Sequence, residues 1–183
     1  MIFMLIPIII ISGLVLMLIA LYNSLIGKRN KVRNSWSQID VQLKRRFDLI
    51  PNLVEIVKGY ANHERSTFEA VTSARTNYLS SNTPDDMMKA NGELTQVLGK
   101  LFAVAEAYPE LKANTNFLEL QGELSKTEDK ISYARQFYND VAMDYNNSVQ
   151  MFPSSLVASM FNFKEEPFFN VDAEEKATPQ IKF

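Results

Sequence analysis

The chain has 183 residues and a formal net charge of −2, with 46% hydrophobic and 22% charged residues, the balance of one globular domain with a real core. It has no cysteine, which excludes disulfides and thiolate metal sites, and its single histidine, His63, is too little for an imidazole zinc site or a histidine relay. Six glycines and seven prolines point to long uninterrupted elements rather than many tight turns.

The first element is set by an apolar run. From Ile2 to Tyr22 there is no charge, and Ile, Leu, Met, Val and Phe dominate. About 20 such residues cross a hydrocarbon core of roughly 30 Å. Inside lipid the backbone must satisfy its own polar groups, so residues 1–22 are expected to form a transmembrane helix. Pro7 falls in its first two turns, where a missing N–H costs little. A cleaved signal peptide needs a basic leader and a small-residue cleavage site. No charge precedes the run and Ala20-Leu21-Tyr22 is no such site, so an uncleaved anchor is the expectation.

Lys28, Arg29, Lys31, Arg33, Lys44, Arg45 and Arg46 follow between Asn23 and Arg46, against Asp40 alone. The positive-inside bias then puts the N-terminus outside and the large domain in the cytoplasm, with one pass through the membrane. Residues 47–183 carry 12 basic and 20 acidic side chains, so an acidic domain stands beyond a basic collar. Lys28, Arg29, Lys31 and Arg33 are the membrane-proximal collar, held near anionic headgroups.

Helical periodicity fills the region 23–152. Leu25, Val32, Trp36, Ile39, Leu43 and Phe47 form one stripe, so the anchor runs on into the first soluble helix. Pro51 interrupts it, either reversing the chain or kinking one long rod, and a reversal is the expected outcome. A second stripe then runs through Leu53, Val54, Val57, Tyr60, Phe68, Val71, Ala74 and Tyr78. Ser80 to Asp86 is the clearest punctuation, with Thr83 as cap, Pro84 at the first helical position, and Asp85 and Asp86 at the positive end of the helix dipole. A third helix ends at Pro109, and a loop to about Asn116 leads to a fourth, from Phe117 to Val149. Short connections between amphipathic helices predict an all-α, antiparallel up-down four-helix bundle.

After Phe152 the pattern changes. Pro153 breaks the fourth helix, and residues 153–171 read as a short amphipathic helix followed by an apolar segment. Leu156, Val157, Met160, Phe161, Phe163, Phe168 and Phe169 make a dense apolar patch with no evident place in a four-helix core. It can dock on a neighbouring subunit, lie in the lipid interface, or fold back over its own bundle. Residues 172–183 are a polar tail, apart from Ile181 and Phe183.

No reactive constellation is legible. There is no HExxH, Gly-rich phosphate loop, nucleophile elbow or Glu-x-x-His pair, and Glu64 beside His63 faces elsewhere on a helix. No catalytic, cofactor-binding or metal-ligating residue is therefore assigned, and the chain is expected not to be an enzyme. Lys44-Arg45-Arg46 resembles a phosphate-binding cluster, but topology explains it first and the acidic domain would repel nucleic acid. Gln38, Asp40, Gln42, Arg45, Arg46, Asp48 and Asn52 crowd around Pro51, and Tyr133, Arg135, Gln136, Tyr138, Asn139, Asp140, Tyr145 and Asn146 lie on the fourth helix. They read as a buried hydrogen-bond network that fixes helix register, with a surface for partner helices as the alternative.

The stretches YNSLIGKRNKVRNSWSQIDVQLKRRFDLIPNLVEIVKGYANHE, LFAVAEAYPELKANTNFLELQGELSKTEDKISYARQFYNDVAMDYN and FPSSLVASMFNF strongly resemble the LemA family. The likeness runs from about Tyr22 to Phe169, with a PxIxF-like ending at Pro179 to Phe183 and the weakest match from about Thr76 to Glu93. It implies a bacterial protein with one N-terminal span and a bromodomain-like four-helix bundle, and it carries over no catalytic residue. It also implies a context of membrane-organelle formation, or of membrane metalloproteases.

The expected function is a non-enzymatic scaffold in the bacterial inner membrane that self-associates and organises or shapes the bilayer. The alternative is an adaptor for a membrane protease or signalling partner. Expected partners are membrane lipid and further copies of the chain.

Overall fold

The computed structural model describes residues 2–61 and 63–169, with side chains from residue 6. The expected polar tail at 172–183, Val171 before it, and the pair Ile181 and Phe183 lie outside the described residues. The described chain is all-helical: α1 (Ile2–Tyr60), α2 (Arg65–Ser80), α3 (Pro84–Glu106), α4 (Pro109–Lys112), α5 (Thr115–Gln150) and α6 (Ser154–Met160). It forms two packed units, one from the described parts of Met1–Ser37 and Ala134–Phe183, the other from Gln38–Tyr133.

The second unit is the expected antiparallel bundle. Phe47 on α1 stacks on Tyr78 of α2 at 3.9 Å while Lys58 lies over the Phe68 ring, so the two helices run in opposite directions. Asn77 on α2 meets Glu93 on α3 across the turn at 81–83, and Phe102 on α3 packs edge-on against Phe117 on α5. α5 closes the circuit onto α1, with Glu123 paired to Arg45 and Asn114 donating to Tyr60. Ile39, Leu43, Phe47, Ile50, Leu53, Val57, Val71, Leu94, Leu101, Leu111 and Ile131 fill the core.

The chain does not reverse at Pro51. α1 passes through it and ends at Tyr60, so Leu53, Val54 and Val57 belong to the first helix, and α2 starts only at Arg65. An interior proline costs about 3 kcal/mol through the lost bond to the carbonyl four residues back, here that of Phe47. Phe47, Ile50, Leu53, Val54 and Val57 are buried on both sides of it at helical spacing. Burying such side chains gains about 1.5–3 kcal/mol each, which outweighs the proline. Pro51 itself lies on the exposed face.

The other boundaries follow local chemistry. The Thr83 hydroxyl accepts from the Asp86 N–H at 3.2 Å and donates to the Asp86 carboxylate at 2.7 Å, with Pro84 at the first helical position. The expected loop before α5 contains the single turn of α4, opened by Pro109. Asn114 caps α5, accepting from the Phe117 N–H at 3.0 Å.

One charge lies inside the bundle. Arg46 is 3% exposed and forms an ion pair with Glu128 and hydrogen bonds to the side chains of Asn91 and Thr95. Burial lowers its pKa, and the Glu128 carboxylate opposes that shift. Lys44-Arg45-Arg46 is therefore not one basic patch: Lys44 faces solvent, Arg45 pairs with Glu123, and Arg46 is core. His63 sits exposed in the turn between α1 and α2.

Candidate membrane-proximal site

The first unit is built on the N-terminal part of α1. Side chains from Ile6 to Ala20 are all exposed, Ile9 to 69%, and Leu25 is the first buried one met along the helix. Such a surface is costly in water and matched by hydrocarbon. α1 is one helix long and apolar enough to cross a membrane. No break separates that segment from the turns that bury Leu25, Val32 and Ser35.

The C-terminal part of α5 packs beside these turns through Tyr138, Val141, Ala142 and Tyr145. Lys28 bridges the two helices, donating to the Asp144 carboxylate and the Ser148 hydroxyl, each at 2.8 Å. α5 ends at Gln150, and α6 follows with Val157 and Ala158 buried at 1% each. α6 closes with a Schellman arrangement: the Phe163 N–H reaches the Ala158 carbonyl at 2.9 Å, and Asn162 takes a left-handed φ of 55°. Asparagine tolerates that conformation better than most side chains.

The chain then runs back along α5 as an extended strap, 163–169. Two asparagines two turns apart hold it. Asn146 donates to the Glu166 carbonyl at 2.8 Å and accepts from the Glu166 N–H at 2.9 Å. Asn139 does the same with Phe169, at 3.0 and 2.9 Å. The neighbouring phenols add to this, Tyr145 donating to the Lys164 carbonyl at 2.9 Å and Tyr138 to that of Pro167 at 3.1 Å. Burial, with the Glu166 carboxylate nearby, pushes the Tyr145 phenol above its ordinary pKa and keeps it a donor. Aromatic rings complete the seam. Phe169 lies 5.3 Å from Trp36 and 4.7 Å from Tyr138, and Phe161 and Phe163 pack on Tyr22 at 4.8 and 5.7 Å.

The expected apolar patch is divided by this arrangement. Val157, Phe163 and Phe169 fold back and are buried, whereas Leu156, Met160, Phe161 and Phe168 remain exposed. The collar divides likewise. Lys28 pairs with Asp144, and the Arg29 guanidinium lies 4.9 Å over the Phe163 ring, while Lys31 and Arg33 are exposed. Met151 and Phe152, not assigned to the patch from sequence, are exposed beside it, Phe152 to 79%. Of the fourth-helix residues expected to form a buried network, Tyr138, Asn139, Tyr145 and Asn146 bond to the strap, whereas Tyr133 is exposed, and the backbone partners in the strap were not legible. The repeat of Tyr-Asn at a seven-residue interval in YNDVAMDYN was the available signal. Among the described residues, no group of three or more His, Asp or Glu side chains could hold a metal ion.

Comparison with known proteins finds a family model and curated relatives that cover most of the chain. The family model described as LemA family matches residues 35–183. Protein LemA of Metamycoplasma hominis is 27% identical over 156 residues, covering 84% of this chain and 71% of that protein. Magnetosome protein MamQ 2 of Paramagnetospirillum magneticum is 24% identical, covering 91% of this chain and 71% of its own length. Magnetosome protein MamQ of Magnetospirillum gryphiswaldense is 23% identical over 81% of this chain and 64% of its own.

Proposed function

The chain belongs to the LemA family, and from that premise we propose that it is a non-enzymatic, membrane-anchored scaffold whose copies associate and organise or shape the bilayer. One observation carries the reading: the apolar segment and the packed turns beyond it are one unbroken helix. A flexible tether lets a domain tumble, whereas a continuous helix holds the membrane-proximal unit at a set angle to the bilayer. Copies that associate with a set angle transmit that geometry to the lipid. The relatives named as magnetosome proteins support a membrane-organising role over a catalytic one.

The basic residues support one orientation for this reading. Lys28, Arg29, Lys31 and Arg33 directly follow the span, and this basic flank favours the helical units on the cytoplasmic side and the far end of the span outside. Lys31 and Arg33, both exposed, are the collar residues best placed for anionic headgroups.

Electron microscopy of the full chain in lipid nanodiscs and in liposomes tests the proposal. Discrete oligomers and remodelled liposomes are the expected result. A monodisperse monomer at every lipid ratio, with liposomes left unchanged, would remove self-association. Stoichiometric crosslinking in native membranes to a different protein, without self-crosslinks, would favour the adaptor alternative.

A further inference from the structure

We propose that α6 and its flanking residues form a second membrane contact, an apolar foot of Met151, Phe152, Leu156, Met160 and Phe161 lying in the headgroup–acyl boundary of the leaflet from which α1 emerges. The inference rests on the reading of α1 as a membrane anchor and extends it to a segment separated from the anchor by more than 120 residues.

These five side chains are between 55% and 79% exposed, an unusual concentration for a surface that meets water. The exposed set is not loose. Val157 and Ala158 fix α6 from within, and the Schellman closure fixes its end. The foot is also continuous with the lipid-facing segment of α1, because Phe161 packs on Tyr22 at 4.8 Å where the expected span ends. Aromatic side chains at that level suit the membrane–water interface.

Charge draws the same boundary on all three segments that meet there. α1 carries no charged side chain before Lys28, and the sequence has none between Asp144 and Lys164. These limits coincide in space. Lys28 pairs with Asp144 at 2.8 Å, Arg29 covers Phe163, and the Lys164 carbonyl is bonded to Tyr145. Beyond these contacts the lipid-facing part of α1, the end of α5 and α6 carry no charged side chain. Lowering the foot into the interface therefore buries apolar surface and desolvates no charge. Phe168, although exposed, lies on the strap beyond Lys164 and is not part of the foot.

The absence of cysteine makes a direct test clean. Met17→Cys in the span, Met160→Cys in the foot and Leu118→Cys on α5, all at exposed positions, are labelled singly with an environment-sensitive fluorophore. The full chain is placed at one copy per nanodisc of phosphatidylcholine and phosphatidylglycerol. Quenching by doxyl lipid is compared with quenching by aqueous iodide. The labels at 17 and 160 should be quenched by doxyl lipid several-fold more than that at 118, and iodide should reach only 118. Lipid quenching at 17 with iodide access at 160 equal to that at 118 would overturn the foot and leave the anchor standing. Protection at 160 from both quenchers would mean that protein covers it, which also overturns the proposal. Iodide access at 17 would overturn the anchor and the foot together. Single occupancy removes a second copy as a source of protection, so the outcome does not depend on self-association.

Discussion

Arg46 illustrates how one side chain can decide more than its neighbours. Lys44, Arg45 and Arg46 are adjacent in sequence, yet the helix turns each about 100° from the last, and only Arg46 points inward. Removing one partner of a buried ion pair strands the other, at a cost of about 3–5 kcal/mol where both are enclosed. Glu128 is partly exposed, so Arg46→Ala should cost about 3 kcal/mol, the lower end of that range. Arg46→Met with Glu128→Gln should cost clearly less, because no charge is left stranded. Urea unfolding of the full chain in detergent measures both, and a single-variant loss within error would show that the pair adds nothing. Tyr78 gives a pH signature. Burial and the carboxylate of Asp40, 3.5 Å from its hydroxyl, raise its pKa from 10.0 to about 12. The folded state thus holds this proton more tightly than the unfolded state. Its contribution is complete below pH 10 and is lost as pH rises from 10 towards 12. The loss should approach about 2 kcal/mol. Comparison with Tyr78→Phe isolates it from other alkaline titrations: the wild type should lose stability more steeply across that window, and parallel curves would refute the assignment.

Elements were legible where local chemistry and burial agree. The anchor, the Thr83–Pro84 start of α3 and the length of α5 are all of this kind. The α1–α2 boundary was misread because proline is a strong local signal, while the burial that overrides it comes from helices distant in sequence. The contacts made by the collar and by the apolar patch were not legible. Lys28 chooses Asp144, and Phe163 chooses Tyr22 and Arg29, and such pairings depend on α5 and the strap lying beside α1. The strap was the least legible element because it has no periodicity of its own. Its conformation is set by side-chain amides on α5 that mimic a neighbouring strand, each satisfying one backbone N–H and one C=O. That dependence is testable. Asn146→Ala leaves both backbone groups of Glu166 without their partner, a loss of about 1–3 kcal/mol per orphaned group where water is excluded. The strap should detach around Lys164, and trypsin should then cut after that residue much faster than in the wild type. Helical content should be unchanged, since the bonds removed are not helical. Equal cleavage rates would show that Tyr145, Asn139 and the Phe163 and Phe169 rings hold the strap without Asn146.

At the scale of the molecule, the span, the ion pair and the foot depend on rotation and height set by α1. The helix advances 1.5 Å and turns about 100° per residue, so its length between span and body is a ruler. Inserting seven polar, helix-forming residues after Asn23 adds nearly two whole turns, keeping the span within about 20° of its original rotation. The same insertion raises everything beyond it by about 10 Å, which lifts α6 clear of the headgroup boundary while the span stays in lipid. Inserting a single residue changes the height little but swings Tyr22 away from Phe161 and Phe163. The two insertions separate the contributions. In nanodiscs, a label at Met160→Cys should lose its quenching by doxyl lipid after the seven-residue insertion. After the one-residue insertion it should keep most of that quenching, because the foot remains at the level of the membrane even with the aromatic contact broken. Undiminished lipid quenching after the longer insertion would show that the height of the foot is not governed by α1, and the continuous helix would then be a connection rather than a ruler.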